Sequence, residues 1–200
     1  MLFMNISSDY VHLLDDQGEH FLPRNGIEDT LGPTLLEYTK SHPVESIFLL
    51  NGPGGFTNLR VGTITINTLN TLLLNDTWTF IPIASITKLD LYTYAHKQWR
   101  LPRYGILYIG QKHNVRRCDF ETHEHKQITL EEIQYSDETF LDFVHDTYRP
   151  TTDAMVSFSM EDNTLYLRYQ SEAHKIRIRE LYIPLTMTAE PQYLIEPTMN

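Results

Sequence analysis

The chain has 200 residues, enough for one domain or two small lobes, and 41% of them are hydrophobic, which supplies a real core. Its 26 acidic against 16 basic residues give a formal net charge of -10, the wrong sign for an autonomous nucleic-acid binder, whose basic excess neutralises phosphates. Contact with RNA is therefore expected only locally or through a partner.

The single cysteine, Cys118, excludes an internal disulfide and a cysteine-built zinc cage, and it fits a reducing compartment, so a cytoplasmic location is expected. The first residues carry Asn5, Asp9, Asp15 and Asp16 with no basic start. The aliphatic clusters around Leu49 and Leu72 are far too short to cross a bilayer, so no membrane association is expected.

In chain order, Leu2 to Ile6, Tyr10 to Leu14 and Glu19 to Leu22 read as an antiparallel meander, with Asp15-Asp16-Gln17-Gly18 as turn. Ile27, Leu31, Leu35 and Tyr38 recur at helical spacing up to His42-Pro43, with Gly32-Pro33 expected to weaken or kink that helix. Ser46 to Leu50 is a compact apolar run of the kind buried in a sheet. Residues 57 to 74 are ambiguous: Ile64-Thr65-Ile66 alternates like a strand, yet Leu59, Ile66, Leu69 and Leu73 fall near one helical face.

Thr79 to Ala84 reads as a further strand, and Ser85 as the N-cap of a helix carrying Ile86, Leu89 and Tyr92 to Tyr94. Beyond Trp99 the pattern changes. Tyr104 to Gly110 and Val115 to Glu121 read as a hairpin around Gln111 to Asn114, followed by a short helix near Glu138 to His145 and strands at Ala154 to Ser159 and Thr164 to Tyr169. The boundary near residue 100 separates lobes rather than independent domains: 1–100, then a smaller 101–200.

Between the fourth strand and the ambiguous segment lies Asn51-Gly52-Pro53-Gly54-Gly55-Phe56-Thr57. The glycines permit positive φ and close approach, Pro53 stiffens the loop, and Thr57 is placed to cap a following helix. Free N–H groups at such a helix start can bind anions. No Gly-Lys-Ser/Thr triplet follows and the GxGxxG spacing is absent, so as a bare pattern it is a tight turn first and a phosphate site second.

The longer string Gly52-Pro53-Gly54-Gly55-Phe56-Thr57-Asn58-Leu59-Arg60-Val61-Gly62 resembles Gly-Pro-Gly-Ser-Phe-Thr-Gly-Leu-Arg-Ile-Gly, the signature of the TsaB (YeaZ-like) family of tRNA threonylcarbamoyladenosine biosynthesis proteins, with Gly55 for the serine and Asn58 for the second-half glycine. Ile81 to Asp90 resembles the family's next strand and serine-rich turn, Leu31 to Tyr38 its leucine-rich helix, and Pro191-Gln192-Tyr193-Leu194-Ile195 its terminal Pro-x-Tyr-Leu-Arg. The resemblance spans residues 1 to about 120 and the final ten or so. The chain reads as a divergent and shortened member.

This resemblance implies an α/β fold of the actin-like ATPase and sugar-kinase (ASKHA, RNase H-like) type in two lobes, a mixed sheet flanked by helices with the second lobe reduced. It also implies that Thr57 to Leu74 is a helix. The family's role is that of a non-catalytic partner of TsaD, the threonylcarbamoyltransferase, possibly with TsaE in a larger complex, a homodimer when isolated, and tRNA contacted indirectly. Active members of the superfamily carry an acidic residue and a glycine in the first strand pair; here Asn5-Ile6-Ser7-Ser8 has neither. TsaD also needs histidines at i and i+4, and no two of the nine histidines are so spaced.

No cofactor of the chain's own is expected, with ATP or ADP conceivable at the interface with the partner. Leu31, Leu35, Tyr38, Leu59, Arg60, Thr63 and Ile66 are the expected partner contacts, and Gly52, Pro53, Gly54, Gly55, Phe56, Thr57 and Gly62 the structural loop. The alternatives are a nucleotide-dependent enzyme of the same superfamily, using the glycine loop as a phosphate cradle, or an actin-like scaffold for another partner.

Three further groups have bland readings. His123-Glu124-His125 could share one strand face as metal ligands but reads as an exposed polar edge. Cys118 reads as a spectator thiol. Lys97, Arg100, Arg103, Lys112, Arg116 and Arg117 form a basic cluster that reads as a solvated surface before a phosphate or tRNA contact, and Lys112 replaces the family's usual arginine.

Overall fold

The computed structural model describes residues 1–111, 114–134, 136–142 and 154–193. The strands β1 (Leu2–Asn5), β2 (Tyr10–Asp15) and β3 (Gly18–Pro23) form the antiparallel meander. Its turn is fixed by Asp15 Oδ1, which accepts from the backbone N–H of Gln17 at 2.8 Å and of Gly18 at 3.2 Å.

The strand β4 (Ile47–Leu50) joins β1 in parallel, β5 (Ile83–Ile86) joins β4 in parallel, and β13 (Leu185–Thr186) closes that edge antiparallel. The resulting order is β13-β5-β4-β1-β2-β3. Parallel neighbours need a long return connection. Here α1 (Ile27–Ser41) leads into β4, and α2 (Phe56–Thr77) carries the chain from β4 to β5.

Side chains alternate across a strand, so a central strand covered on both faces is apolar throughout. Leu2, Met4, Ile47, Leu49 and Ile83 face α1 and α2, meeting Leu31, Leu35, Leu59 and Ile66. Phe3, Phe48, Leu50, Ala84 and Ile86 face the other way, toward α3 (Lys88–Trp99) with its Leu91, Tyr92 and Ala95.

The second half holds a four-stranded sheet and a three-stranded one. In the first, β6 (Tyr104–Gln111), β7 (Asn114–Asp119), β8 (His125–Thr129) and β9 (Thr139–Leu141) lie in the order β8-β7-β6-β9, with β9 parallel to β6. The other is the meander β10 (Val156–Glu161), β11 (Thr164–Tyr169) and β12 (Glu172–Lys175). Phe120, Phe140, Leu165 and Leu167 belong to the same buried cluster as Phe3 and Phe48. The two halves share a core across residue 100.

Several elements differ from the sequence reading. Residues 57 to 74 are helical within α2, and α1 continues as one helix through Pro33. The strand expected over Thr79 to Ala84 sits at Ile83–Ile86 because it pairs with β4 from Ile47 to Leu50. Ser85 is consequently inside the strand. The cap is Thr87, whose Oγ1 accepts from the Asp90 N–H at 3.0 Å.

Where a helix near Glu138 was expected, Thr139, Phe140 and Leu141 are fully buried in β9 against Tyr104 to Ile106; residues 143–145 of that expected helix lie outside the described residues. The strands β8, β12 and β13 went unread because they are short and largely exposed. Among the described residues, no helix is long and apolar enough to cross a membrane.

Candidate functional site: the glycine junction and the helix face beside it

The loop after β4 is held from three sides. Asn51 donates its backbone N–H to Ile86 O at 3.1 Å, and Gly52 O accepts the Lys88 N–H at 2.6 Å, which ties the loop to the start of α3. From the C-terminal side, Gln192 donates its N–H to Asn51 O at 2.8 Å, while Asn51 Nδ2 donates to Glu190 O at 2.8 Å. The tail continues along α2, where Asn67 Oδ1 accepts the Ala189 N–H at 2.7 Å and Asn70 Nδ2 donates to Met187 O at 2.9 Å.

The glycines serve these close approaches. Gly52 lies at φ 145, and a Cβ there would overlap the Gln192 carbonyl. Its peptide bond to Pro53 is cis. A Cβ on Gly54 would overlap Ser7 O, and one on Gly110, at φ 80, would overlap Gly55 Cα. On the helix itself, a Cβ on Gly62 would come 2.6 Å from Ile6 Cγ2. At Gly52, Gly54 and Gly110 the close neighbour is the chain's own backbone. Gly55 alone of these five has ordinary contact distances, the nearest atom being 3.7 Å away.

Thr57 does not cap α2, because the helix begins one residue earlier and Gly55 is its N-cap. The β1–β2 loop docks on this start. Asn5 Oδ1 accepts from Ser7 N at 2.9 Å and Ser7 Oγ at 2.7 Å, and Asn58 Nδ2 donates to Ser8 O at 2.7 Å. Asn58 thus supplies a side-chain clamp where the family signature has glycine.

Behind the loop sits a pair that the sequence did not announce. Lys88 Nζ lies 2.6 Å from Asp142 Oδ2 with both side chains at 0% exposure, and it also donates to Ser7 O at 2.9 Å. The Tyr108 N–H donates to Asp142 Oδ1 at 2.8 Å, and the Tyr108 hydroxyl is bonded to the Asp9 carboxylate. Burial pushes the Asp142 carboxyl up, while the Lys88 ammonium and the Tyr108 N–H oppose that rise. One signal was present: a lysine at the first position of a helix opposes the helix dipole, a local misfit that points to a tertiary role.

Six of the seven expected partner contacts are corrected by burial. Leu31 and Leu59 are at 0% exposure, Ile66 at 0%, Leu35 at 1%, Thr63 at 3% and Tyr38 at 7%. They pack on the chain's own sheet and cannot form an outer surface. Arg60 is exposed, beside the Phe56–Tyr193 ring stack with centroids 5.4 Å apart. Outward apolar side chains on and beside these helices include Leu36, Leu72 and Phe80, exposed by 42%, 49% and 41%, and also Ile64 and Trp78; the first three are grouped. With Val44 and Leu73 these line a groove of about 710 Å³ between α1 and the C-terminal half of α2.

The remaining groups are dispersed. His123 sits in a turn at φ 62 and His125 begins β8, so they do not share a strand face. Among the described residues, no group of three or more histidine, cysteine or carboxylate side chains is placed to hold a metal. Cys118 is buried, and burial pushes its thiol up to about 12. In the basic cluster, Arg103 is paired with Asp119 at 2.6 Å and Glu121 at 2.9 Å, and Arg117 lies over the Tyr104 ring at 4.1 Å. Lys112 lies outside the described residues.

The strand order fixes the class: an antiparallel β1–β2–β3 meander continued in parallel by β4 and β5, with helices on both faces, is an α/β fold of the actin-like, RNase H-like type. No family model and no curated protein matches the chain. Among solved structures it is similar to YeaZ from Pseudomonas aeruginosa, at 17% identity over 68% of this chain and 70% of that one, with a TM-score of 0.41. It is also similar to an uncharacterized protein with similarity to peptidase YeaZ from the same organism, at 16% identity over 97% and 98% of the two chains, with a TM-score of 0.46.

Proposed function

We propose that this chain is a non-catalytic partner of a TsaD-type threonylcarbamoyltransferase in the formation of threonylcarbamoyladenosine on tRNA. The observation that carries the proposal is the packed glycine junction: Ser7 and Gln192 stand where a Cβ on Gly54 or Gly52 would fall, and Gly55 where one on Gly110 would. Lys88, buried behind the loop, is committed to Asp142 and Ser7. A loop packed this way supports a role in shaping a helix start over one as a phosphate cradle.

The groove of Leu36 on α1, Leu72 and Leu73 on α2 and Phe80 just beyond α2 supplies the partner surface, because apolar side chains grouped at the surface favour burial against another protein. Arg60 lies on the exposed side of the same helix α2, and ATP or ADP, where required, would sit between the two proteins rather than within this one. The same groove would support a homodimer of the isolated chain. The cytoplasm is the compartment in which this role is placed.

Copurification tests the surface. Leu72→Glu combined with Phe80→Glu is expected to abolish capture of the TsaD of the same organism while leaving the melting curve close to wild type. Undiminished capture by the folded double variant would remove the groove from the interface.

A further inference from the structure

On the sheet edge away from that groove, β2 and β3 present aromatic side chains to water beside the meander of β10. Tyr10 is 48% exposed and Phe21 55% exposed, next to His12, which pairs with Phe21 in the strand register. The His12 and Phe21 rings are stacked, 4.3 Å between centroids and 13° from parallel. Facing them across a cavity of about 430 Å³ is Phe158, anchored on Phe3 with centroids 4.6 Å apart. That volume suits a small organic ligand, and its walls are mainly apolar and aromatic, as ligand pockets are.

The carboxylates lining this cavity are those of Asp9, Glu19 and Asp142, with His12 beside them; Asp9 is bonded to the Tyr108 hydroxyl, which Arg24 also approaches, so Glu19 is the carboxylate most open to a ligand. Asp142 lines the floor already neutralised by Lys88, and among the described lining residues there is no lysine or arginine. His12 does not offset the carboxylates: burial lowers its pKa, with the Glu19 carboxylate 3.2 Å from Nε2 opposing that shift. The Glu19 carboxylate, 53% exposed, disfavours an anionic ligand here. A positive charge gains both from that carboxylate and from the exposed faces of Tyr10 and Phe21.

We propose that this cleft binds a small planar aromatic cation, its ring beside Phe21 and Phe158 and its charge toward Glu19. The site is independent of the partner groove, on the opposite side of the sheet. Saturation-transfer NMR and titration calorimetry on the full chain test it, with tryptamine as the probe and indolepropionate as its anionic counterpart of matching ring.

Tryptamine is expected to bind, with indolepropionate weaker by roughly tenfold, the loss expected of exchanging attraction for repulsion at that carboxylate. Phe21→Ala should weaken tryptamine roughly fivefold by removing one ring face, and Glu19→Gln should narrow the gap between the two probes. Both side chains are largely exposed, so melting curves close to wild type are expected. The absence of tryptamine binding, equal binding of the two probes, or tryptamine affinity unchanged in both folded variants would each overturn the proposal.

Discussion

Lys88 Nζ and Asp142 Oδ2 stand 2.6 Å apart with no solvent access to either side chain, so the first turn of α3 is ion-paired to the end of β9 across the two halves of the chain. A buried pair of this kind is costly to break from one side, because the surviving charge is left without a partner. Lys88→Met is expected to destabilise the protein by about 3–5 kcal/mol. Replacing both, as Lys88→Met with Asp142→Leu, should recover much of that loss. Urea denaturation of the three proteins checks this, and a Lys88→Met variant of wild-type stability would show that the pair does not hold the halves together.

The glycines make contrasting predictions. Gly54→Ala places a methyl on Ser7 O and Gly110→Ala places one on Gly55 at a positive φ. Each is expected to cost at least about 1–3 kcal/mol, the usual range for overpacking. A Cβ on Gly55 meets nothing closer than 3.7 Å, and Gly55→Ser puts a hydroxyl at the N-cap of α2, so it should be neutral or stabilising by about a few tenths of a kcal/mol. Thermal melts of the three variants separate a packed junction from a mobile loop, in which all three would behave alike.

Asn70 joins α2 to the segment leading into β5 and to the C-terminal tail: its Oδ1 accepts the buried Ile81 N–H at 2.9 Å, and its Nδ2 donates to Ile81 O and Met187 O, each at 2.9 Å. Asn70→Leu leaves that N–H unpaired, at a cost of about 1–3 kcal/mol. Proteolysis of the tail should accelerate with it, since one of its ties to α2 is lost.

Two titratable groups give independent readouts. His12 has its pKa lowered from 6.5 by burial, so the unfolded chain takes up the proton first as pH falls. Its contribution to stability is fully present above about 6.5 and is lost as pH drops through the folded value. His12→Gln should flatten that part of the stability profile. For Cys118, burial pushes the thiol up to about 12, so alkylation at pH about 8 should be far slower than for a free thiol. Reaction at the free-thiol rate would show that the strand β7 opens readily.

Much of the N-terminal half was legible because its strands are apolar runs between clear turn residues, as at Leu2 to Ile6 and Ser46 to Leu50. The segment 57 to 74 was not, since Ile64-Thr65-Ile66 satisfies both periods and packing on Ile6 and Ile83 decides between them. The spacing of Leu31, Leu35, Leu59 and Ile66 predicts an apolar face but not what covers it, and each helix turns that face to its own sheet. The outward Leu36, Leu72 and Phe80 fall off that stripe and carry no periodic signal. Lys88 and Asp142 are 54 positions apart by number (142 − 88), and their meeting depends on β9 pairing with β6, a short parallel contact that local propensity does not encode.

The proposed role is support of another protein's chemistry. The most direct measurement is threonylcarbamoyladenosine formation on tRNA by the TsaD of the same organism, with its threonylcarbamoyl donor, in the presence and absence of the chain. Product that depends on the chain, and is lost with Leu72→Glu combined with Phe80→Glu, is the predicted result; product formed equally well without the chain would contradict it.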